Sequence, residues 1–195
     1  GRTYRLQKEL YPMPRLTAVN PETAQGRTKE LFTAVNAKFG MVPNLMRTLG
    51  NSSAALGAFL SMNGALAEGA LDPKLRTEIA LAVSEANSCE YCLSAHTTLG
   101  KMGGIQDAEL TTCRQYLSEN PKFNAALRFV GATLRTRGKV SDADVNAVKQ
   151  AGFSEGDIAE IVSHVAMTLF TNYFNHVAQT EIDFPKVHAG TLAAV

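Results

Sequence analysis

Tryptophan is absent from the chain, cysteine occurs only three times, and no apolar run approaches the roughly 18–20 residues that a membrane-spanning helix needs. So few cysteines cannot make a disulfide scaffold. Charge of either sign is also in short supply: 19 basic residues face 18 acidic ones, for a formal net charge of +1 spread along the chain. Nucleic acid would leave a basic footprint, so no nucleic-acid partner is expected. Gly-x-Gly-x-x-Gly, the P-loop and Gly-x-Ser-x-Gly are all missing, which withdraws support from nucleotide-binding and serine-hydrolase functions. There is no low-complexity tract. Behind the start, Gly1-Arg2-Thr3-Tyr4-Arg5-Leu6, no apolar segment of the signal-peptide kind follows. The expectation is a soluble cytoplasmic protein with no membrane partner.

What the chain does contain is helical punctuation. With 195 residues and 45% hydrophobic content it can bury a sizeable core. Asn20-Pro21-Glu22 and Gly40 predict a first helix over about 21–39, with Leu31, Val35 and Phe39 inward. A short helix through Leu45, Met46 and Leu49 ends at Gly50. Ser52 caps the next, closed by Gly69, whose Gly57 and Gly64 suggest close helix packing. Asp72-Pro73 opens a helix with Leu75, Ile79, Ala82 and Ala86 as its buried stripe. Ser88 is expected to cap a new helix from Cys89 to about Met102, ended by Gly103-Gly104. Further helical segments fall near 106–117, from Pro121 to Gly138, and from Ser141 to Gly152. A last long helix starts at Ser154 and runs to about Gln179, with Ile158, Ile161, Val165, Leu169 and Tyr173 on one face. No stretch of strict alternation rivals these periods, so the fold class is all-α, a helical bundle with short loops.

Residues 13–185 are expected to form the domain, with its core at about 72–102. Met13-Pro14-Arg15-Leu16 would serve as a natural beginning, so residues 1–12 are expected to be an extension or an expression remnant, and 186–195 a C-terminal tail.

The core holds Ser88-Cys89-Glu90-Tyr91-Cys92-Leu93-Ser94-Ala95-His96, a Cys-x-x-Cys with a histidine four residues on. On a helix, Cys89 and Cys92 stand at i,i+3 and Cys92 and His96 at i,i+4, so all three project from one face. An imidazole at that spacing can take a thiol proton, and a helix N-terminus favours the resulting thiolate. Three uses of the cluster compete: packed inert thiols, a zinc site and redox catalysis. Zinc would have only three ligands here, without a second Cys or His pair at familiar spacing. Redox catalysis is the use carried forward. On the last helix, His176 shares a face with Asn172; it is either a hydrogen-bonded core histidine or a polar group lining the thiol pocket. Cys113, between Leu110 and Leu117, is expected to be a buried inert thiol, and His188 a surface residue.

The run from Leu75-Arg76-Thr77-Glu78 through Ala82-Val83-Ser84 and Asn87-Ser88-Cys89-Glu90-Tyr91-Cys92 to Ala95-His96 resembles the AhpD-like alkylhydroperoxidase core of the carboxymuconolactone decarboxylase superfamily. The resemblance extends over Met13 to about Pro185, taking in Met41-Val42-Pro43-Asn44 and Thr171-Asn172-Tyr173-Phe174-Asn175-His176. It implies an AhpD-like helical fold, homo-oligomers, and thiol-dependent reduction of organic hydroperoxides. Decarboxylases of the superfamily generally lack the cysteine pair, so its presence favours peroxidase chemistry. One departure stands out. Where the family commonly has a glutamate, twelve residues before the first cysteine, this chain has Thr77; Glu78 is adjacent but about 100° around the helix, and Glu85 is the other acidic candidate.

The expected catalytic residues are thus Cys92 as nucleophile, His96 as its base and Cys89 as the thiol that closes the disulfide, with the reverse order of the two cysteines left open. Glu78, Glu85 and His176 are candidates for a proton relay or pocket. No metal and no cofactor beyond the Cys89-Cys92 disulfide is expected, and an external dithiol or thiol protein would be the reductant. Met102 and Phe59 are candidates for an apolar pocket wall. The alternatives are a decarboxylase-like or disulfide-exchange enzyme on the same scaffold, and a non-catalytic helical oligomer binding metal through Cys89, Cys92 and His96.

Overall fold

A computed structural model describes residues 13–190; the expected N-terminal extension 1–12 and the last five residues of the expected tail lie outside them. Among the described residues the regular structure is entirely helical. The α-helices are α1 (Gly26–Phe39), α2 (Asn44–Leu49), α3 (Ser53–Ala67), α4 (Pro73–Ala86), α5 (Glu90–Met102), α6 (Asp107–Thr112), α7 (Pro121–Thr136), α8 (Asp142–Gln150) and α9 (Glu155–Ala178), with a 3-10 turn at Cys113–Gln115.

Starts and stops follow local chemistry. The Ser52 and Asp72 side chains accept from backbone N–H groups of the turns they open, and Pro73 fills a first-turn position where its missing N–H costs nothing. Ser141 with Asp144 and Ser154 with Asp157 form reciprocal capping boxes on α8 and α9. The first helix begins later than the Asn20-Pro21 signal suggests. Asn20 Oδ1 accepts from Glu22 N–H in a local turn, Gln25 is extended, and Gly26 at φ 56° lets the chain enter α1.

Helix α4 lies at the centre, packed by α5, α7 and α9. It is buried around most of its circumference from Glu78 to Ser84, because short side chains such as Ala80 and Ala82 let neighbours approach on several sides. Its stripe therefore differs from the expected one, and Ala86 is exposed. Leu75, Ile79 and Leu81 are almost fully buried, each stabilising the fold by about 1.5–3 kcal/mol. They join Leu93, Leu127, Val130 and Ile161 in one core. A second core gathers Phe32, Val35, Leu49, Leu56 and Phe59 from α1–α3 around Cys89, Tyr91 and Cys92. The thiols thus sit on the side of α5 that faces the N-terminal helices.

Close backbone approach occurs at other glycines than expected. A Cβ on Gly64 would meet nothing within 4 Å and one on Gly57 only Leu31 at 3.9 Å, whereas on Gly100 it would lie 2.6 Å from Leu110.

Candidate active site

The turn between α4 and α5 places the two thiols. Ser88 adopts a left-handed conformation at φ 53°; its N–H donates to Glu85 O, and Cys89 N–H donates to Ser84 O at 2.9 Å. These paired bonds close α4 as a Schellman motif with serine in the position glycine usually takes. Because Ser88 is used in that reversal, the cap of α5 moves one residue on. Cys89 itself is the N-cap, its sulfur accepting from Cys92 N–H at 3.4 Å. The expected Ser88 cap is corrected accordingly: Cys89 flanks the helix and Cys92 occupies its first turn, where the backbone dipoles favour negative charge.

Both thiols are buried, each 2% exposed. From α9, Asn175 Nδ2 donates to Cys92 Sγ at 3.3 Å. Burial raises the Cys92 thiol, yet hydrogen bonds from Cys89, Asn175, Asn172 and Thr171 together outweigh it, so its pKa falls below the ordinary thiol value. Cys89 moves the other way, raised by its hydrogen bond to Cys92, by burial and by the Cys92 charge. The pair is therefore unequal: the Cys92 thiol ionises more readily than an ordinary thiol and the Cys89 thiol less readily.

Asn175 was not singled out as a site residue in the sequence, although it sits in the quoted segment. A polar series, Thr168, Thr171, Asn172 and Asn175, is buried on α9 where an apolar stripe was expected to continue to Tyr173, which is 58% exposed. Burial is possible because the series is hydrogen-bonded: Asn172 Nδ2 donates to Ser84 Oγ at 3.2 Å, and Asn172 Oδ1 accepts from Asn87 Nδ2 at 3.2 Å. The signal in the sequence is the 171/172/175 spacing of amides and hydroxyls on a helix that carries no Asp, Glu, Lys or Arg after Glu160.

His96 is half-buried one turn beyond Cys92, and burial lowers its imidazole to about 4, so the ring is neutral near pH 7. Among the described residues no hydrogen bond joins it to either thiol; Cys92 Sγ accepts from Asn175, and Cys89 Sγ from the Cys92 backbone N–H, instead. His176 is exposed, with Nε2 2.7 Å from the Asn87 carbonyl oxygen. A carbonyl only accepts, so Nε2 carries a proton. Glu85 and Glu78 point elsewhere. Glu85 accepts twice from Arg114, at 2.9 and 2.6 Å, and also from Gly190 N–H at 2.7 Å. Glu78, 1% exposed, has no hydrogen-bond partner for either oxygen; it faces a small cavity lined by Glu109, Thr112 and Ser118, and burial lifts its carboxyl to about 7. Cys113 is buried, its thiol raised by burial and by the Glu78 charge. His188, more than half exposed, has Nδ1 3.0 Å from Glu90 Oε1.

A cavity of about 640 Å³ opens onto Cys89. Tyr91, Ile182 and Phe184 give it an apolar wall, and Asn175 and His176 contribute polar groups; neither Met102 nor Phe59 lines it. Residues Glu181–Gly190 cross α5 as a strap that forms part of this wall. Asn44 N–H donates to Asp183 Oδ2, Val187 N–H to Ser94 Oγ, and Arg114 Nη2 to the His188 carbonyl. Tyr91, whose hydroxyl accepts from Leu45 N–H, stacks edge-on against Phe184 with ring centres 5.9 Å apart.

The whole thiol segment lies inside residues 54–132, which match the model of the carboxymuconolactone decarboxylase family. The fold around that segment is similar to that of AhpD-like proteins. A peroxidase-related protein from Ralstonia eutropha JMP134, described as an alkylhydroperoxidase AhpD core, superposes with a TM-score of 0.79 at 23% identity, covering 89% of this chain and 94% of that one. A peroxidase-related protein from Silicibacter sp. TM1040 gives a TM-score of 0.76 at 22% identity, covering 94% of this chain and 100% of that one. The debrominase Bmp8 in complex with 2,3,4-tribromopyrrole gives 0.74 at 19% identity, covering 89% and 94%. At these identities the likeness establishes the fold. No curated protein sequence matches the chain.

Proposed function

We propose that the protein is a thiol peroxidase that reduces organic hydroperoxides through Cys92 and Cys89. The observation that carries this is the unequal pair: Cys92, the more readily ionised thiol, held by Asn175 in the first turn of α5, beside Cys89, the less readily ionised one, at the wall of an apolar-sided cavity. The Cys92 thiolate attacks the terminal oxygen of the hydroperoxide; the S–O bond forms, the O–O bond breaks, and the alkoxide departs with the electron pair. The alkoxide takes the Cys89 proton and leaves as the alcohol. The Cys89 thiolate then attacks the Cys92 sulfenic acid, closing the disulfide and releasing hydroxide, which is protonated by solvent. An external dithiol restores the pair by attacking Cys89, the sulfur at the cavity wall, and Cys92 is the better leaving group because its thiol pKa is lowered. His96, a neutral imidazole, and His176, at the cavity wall, are the candidate proton carriers.

A second copy of the chain is the expected partner. The outer face of α9 presents Val162, Phe170, Tyr173 and Val177 without an Asp, Glu, Lys or Arg from Val162 onward. No helix among the described residues is long and apolar enough to cross a membrane. A metal-binding role would need Cys89, Cys92 and His96 to converge, and among the described residues no three His, Cys, Asp or Glu side chains do so.

Consumption of cumene hydroperoxide with excess dithiothreitol tests the proposal. Turnover should be lost in Cys92→Ser and Cys89→Ser and slowed in His96→Ala, with a sulfenic acid trapped at Cys92 in Cys89→Ser. No turnover by the reduced parent would refute it. The debrominase neighbour supports a second substrate class, bromopyrroles, assayed with the same proteins by bromide release. Carboxylated lactones and protein disulfides test the decarboxylase-like and exchange alternatives.

A further inference from the structure

Asn175 has two chemically different ends at this site, and only one is used. Nδ2 donates to Cys92 Sγ at 3.3 Å, whereas Oδ1 is buried and has no hydrogen-bond partner within the protein. The orientation follows from chemistry, since a thiolate only accepts and the NH₂ end must face it. Asn172, one turn earlier, uses both ends, to Ser84 and from Asn87, so the orphaned amide oxygen sets Asn175 apart from its neighbour. Thr180, whose N–H donates to the Asn175 carbonyl at 3.3 Å, also has a buried hydroxyl oxygen without a partner. Both residues line the cavity that opens onto Cys89. A buried acceptor without a donor is unfavourable in the resting protein and calls for a ligand that supplies a hydrogen.

We propose that Asn175 recognises the terminal O–H of the hydroperoxide: Oδ1 accepts that hydrogen while Nδ2 holds the Cys92 sulfur, so one amide sets the attacked oxygen against the attacking sulfur. This rests on the peroxidase function above. In the reaction the attacked oxygen keeps its hydrogen. The S–O bond forms, the O–O bond breaks, sulfur is oxidised by two electrons, and the alkoxide carries off the electron pair. The same O–H becomes that of the sulfenic acid, a stronger acid than a hydroperoxide, so the hydrogen bond to Oδ1 tightens along the reaction and lowers its barrier. The favoured substrates are electrophiles with a hydrogen on the reacting oxygen. Thiosulfonates, which have none, gain nothing from Oδ1.

The test compares cumene hydroperoxide with methyl methanethiosulfonate in a Cys89→Ser background, where Cys92 is the reacting thiol. Second-order rate constants are measured with and without Asn175→Ala, at a pH high enough that Cys92 is fully ionised. Loss of the Nδ2 donor acts on both reagents, because both meet the same thiolate. Loss of Oδ1 acts on the hydroperoxide alone, and the ratio of the two rate constants should fall about tenfold. Asn175→Leu, which keeps the branched shape of the side chain, gives the same comparison should the alanine variant fail to fold. An unchanged ratio overturns the assignment. A parent protein that does not react with cumene hydroperoxide overturns the peroxidase function instead, so the two failures are distinguishable.

Discussion

Replacing Glu78 with methionine should make the protein more stable, and by an amount that depends on pH. Both carboxyl oxygens are buried without a hydrogen-bond partner, and burial lifts the group from 4.5 to about 7, with Lys74 opposing and Glu109 and Asp72 reinforcing the shift. A carboxyl whose folded-state pKa is raised binds its proton more tightly folded than unfolded. Stability contributed by the protonated form is therefore complete below about pH 4.5, falls as pH rises to about 7, and is flat beyond. The shift corresponds to about 3 kcal/mol at roughly 1.4 kcal/mol per pH unit. Methionine has a similar reach and no charge to bury, so Glu78→Met should gain up to about 3 kcal/mol over the parent at pH 8 and much less at pH 5. Urea unfolding of both proteins across that range reads the difference directly, and other titrating groups cancel in the subtraction. A stability difference that stays constant with pH would refute the reasoning.

Acid should destabilise the protein through His164, which is 5% exposed with Nε2 unpartnered and a pKa lowered first by burial and then by Arg76. Its neutral folded form contributes stability that is lost as pH falls below about 6.5, so His164→Gln should flatten that limb in thermal unfolding at pH 5 to 7. Arg114→Met should cost about 3–5 kcal/mol in chemical unfolding, because it strands the half-buried Glu85 and releases the His188 carbonyl. Ser88→Gly should stabilise by about 0.5–1 kcal/mol, since glycine removes the left-handed strain at φ 53° but gains chain entropy when unfolded; a loss in thermal unfolding would argue against strain there.

Much of this fold was legible because its helices begin and end on residues with a local job. Ser52, Asp72-Pro73, Ser141 and Ser154 act within a few residues of themselves, so their effects survive the absence of any tertiary information. The misses share the opposite property. Ser88 has the chemistry of a cap, yet closing α4 through Ser84 and Glu85 turned it left-handed and passed capping to Cys89. The buried face of α9 could not be taken from apolar periodicity, since Thr171, Asn172 and Asn175 are inside only because α4 and α5 supply their partners. The thiol pair was visible from spacing, but Asn175, which hydrogen-bonds to it, is 83 residues away in the chain. Glu78 and Glu85 were candidates by proximity in sequence; Arg114 and the Glu109 cavity draw them away from the sulfurs.

The strap from Glu181 to Gly190 covers the site from the rim of the bundle. None of its residues is fully buried; polar bonds to Asn44, Ser94, Glu85, Glu90 and Arg114 tie it down, and Ile182, Phe184, Val187 and Ala189 lie partly buried against the two cores. Segments attached in this way open at free energies well below that of global unfolding. The rate at which Cys89 is alkylated under native conditions is then a clock for the strap alone, running while both cores stay intact. Denaturant at concentrations that leave the helices folded should barely change that rate, whereas weakening one tie, as in Ser94→Ala, should speed it up.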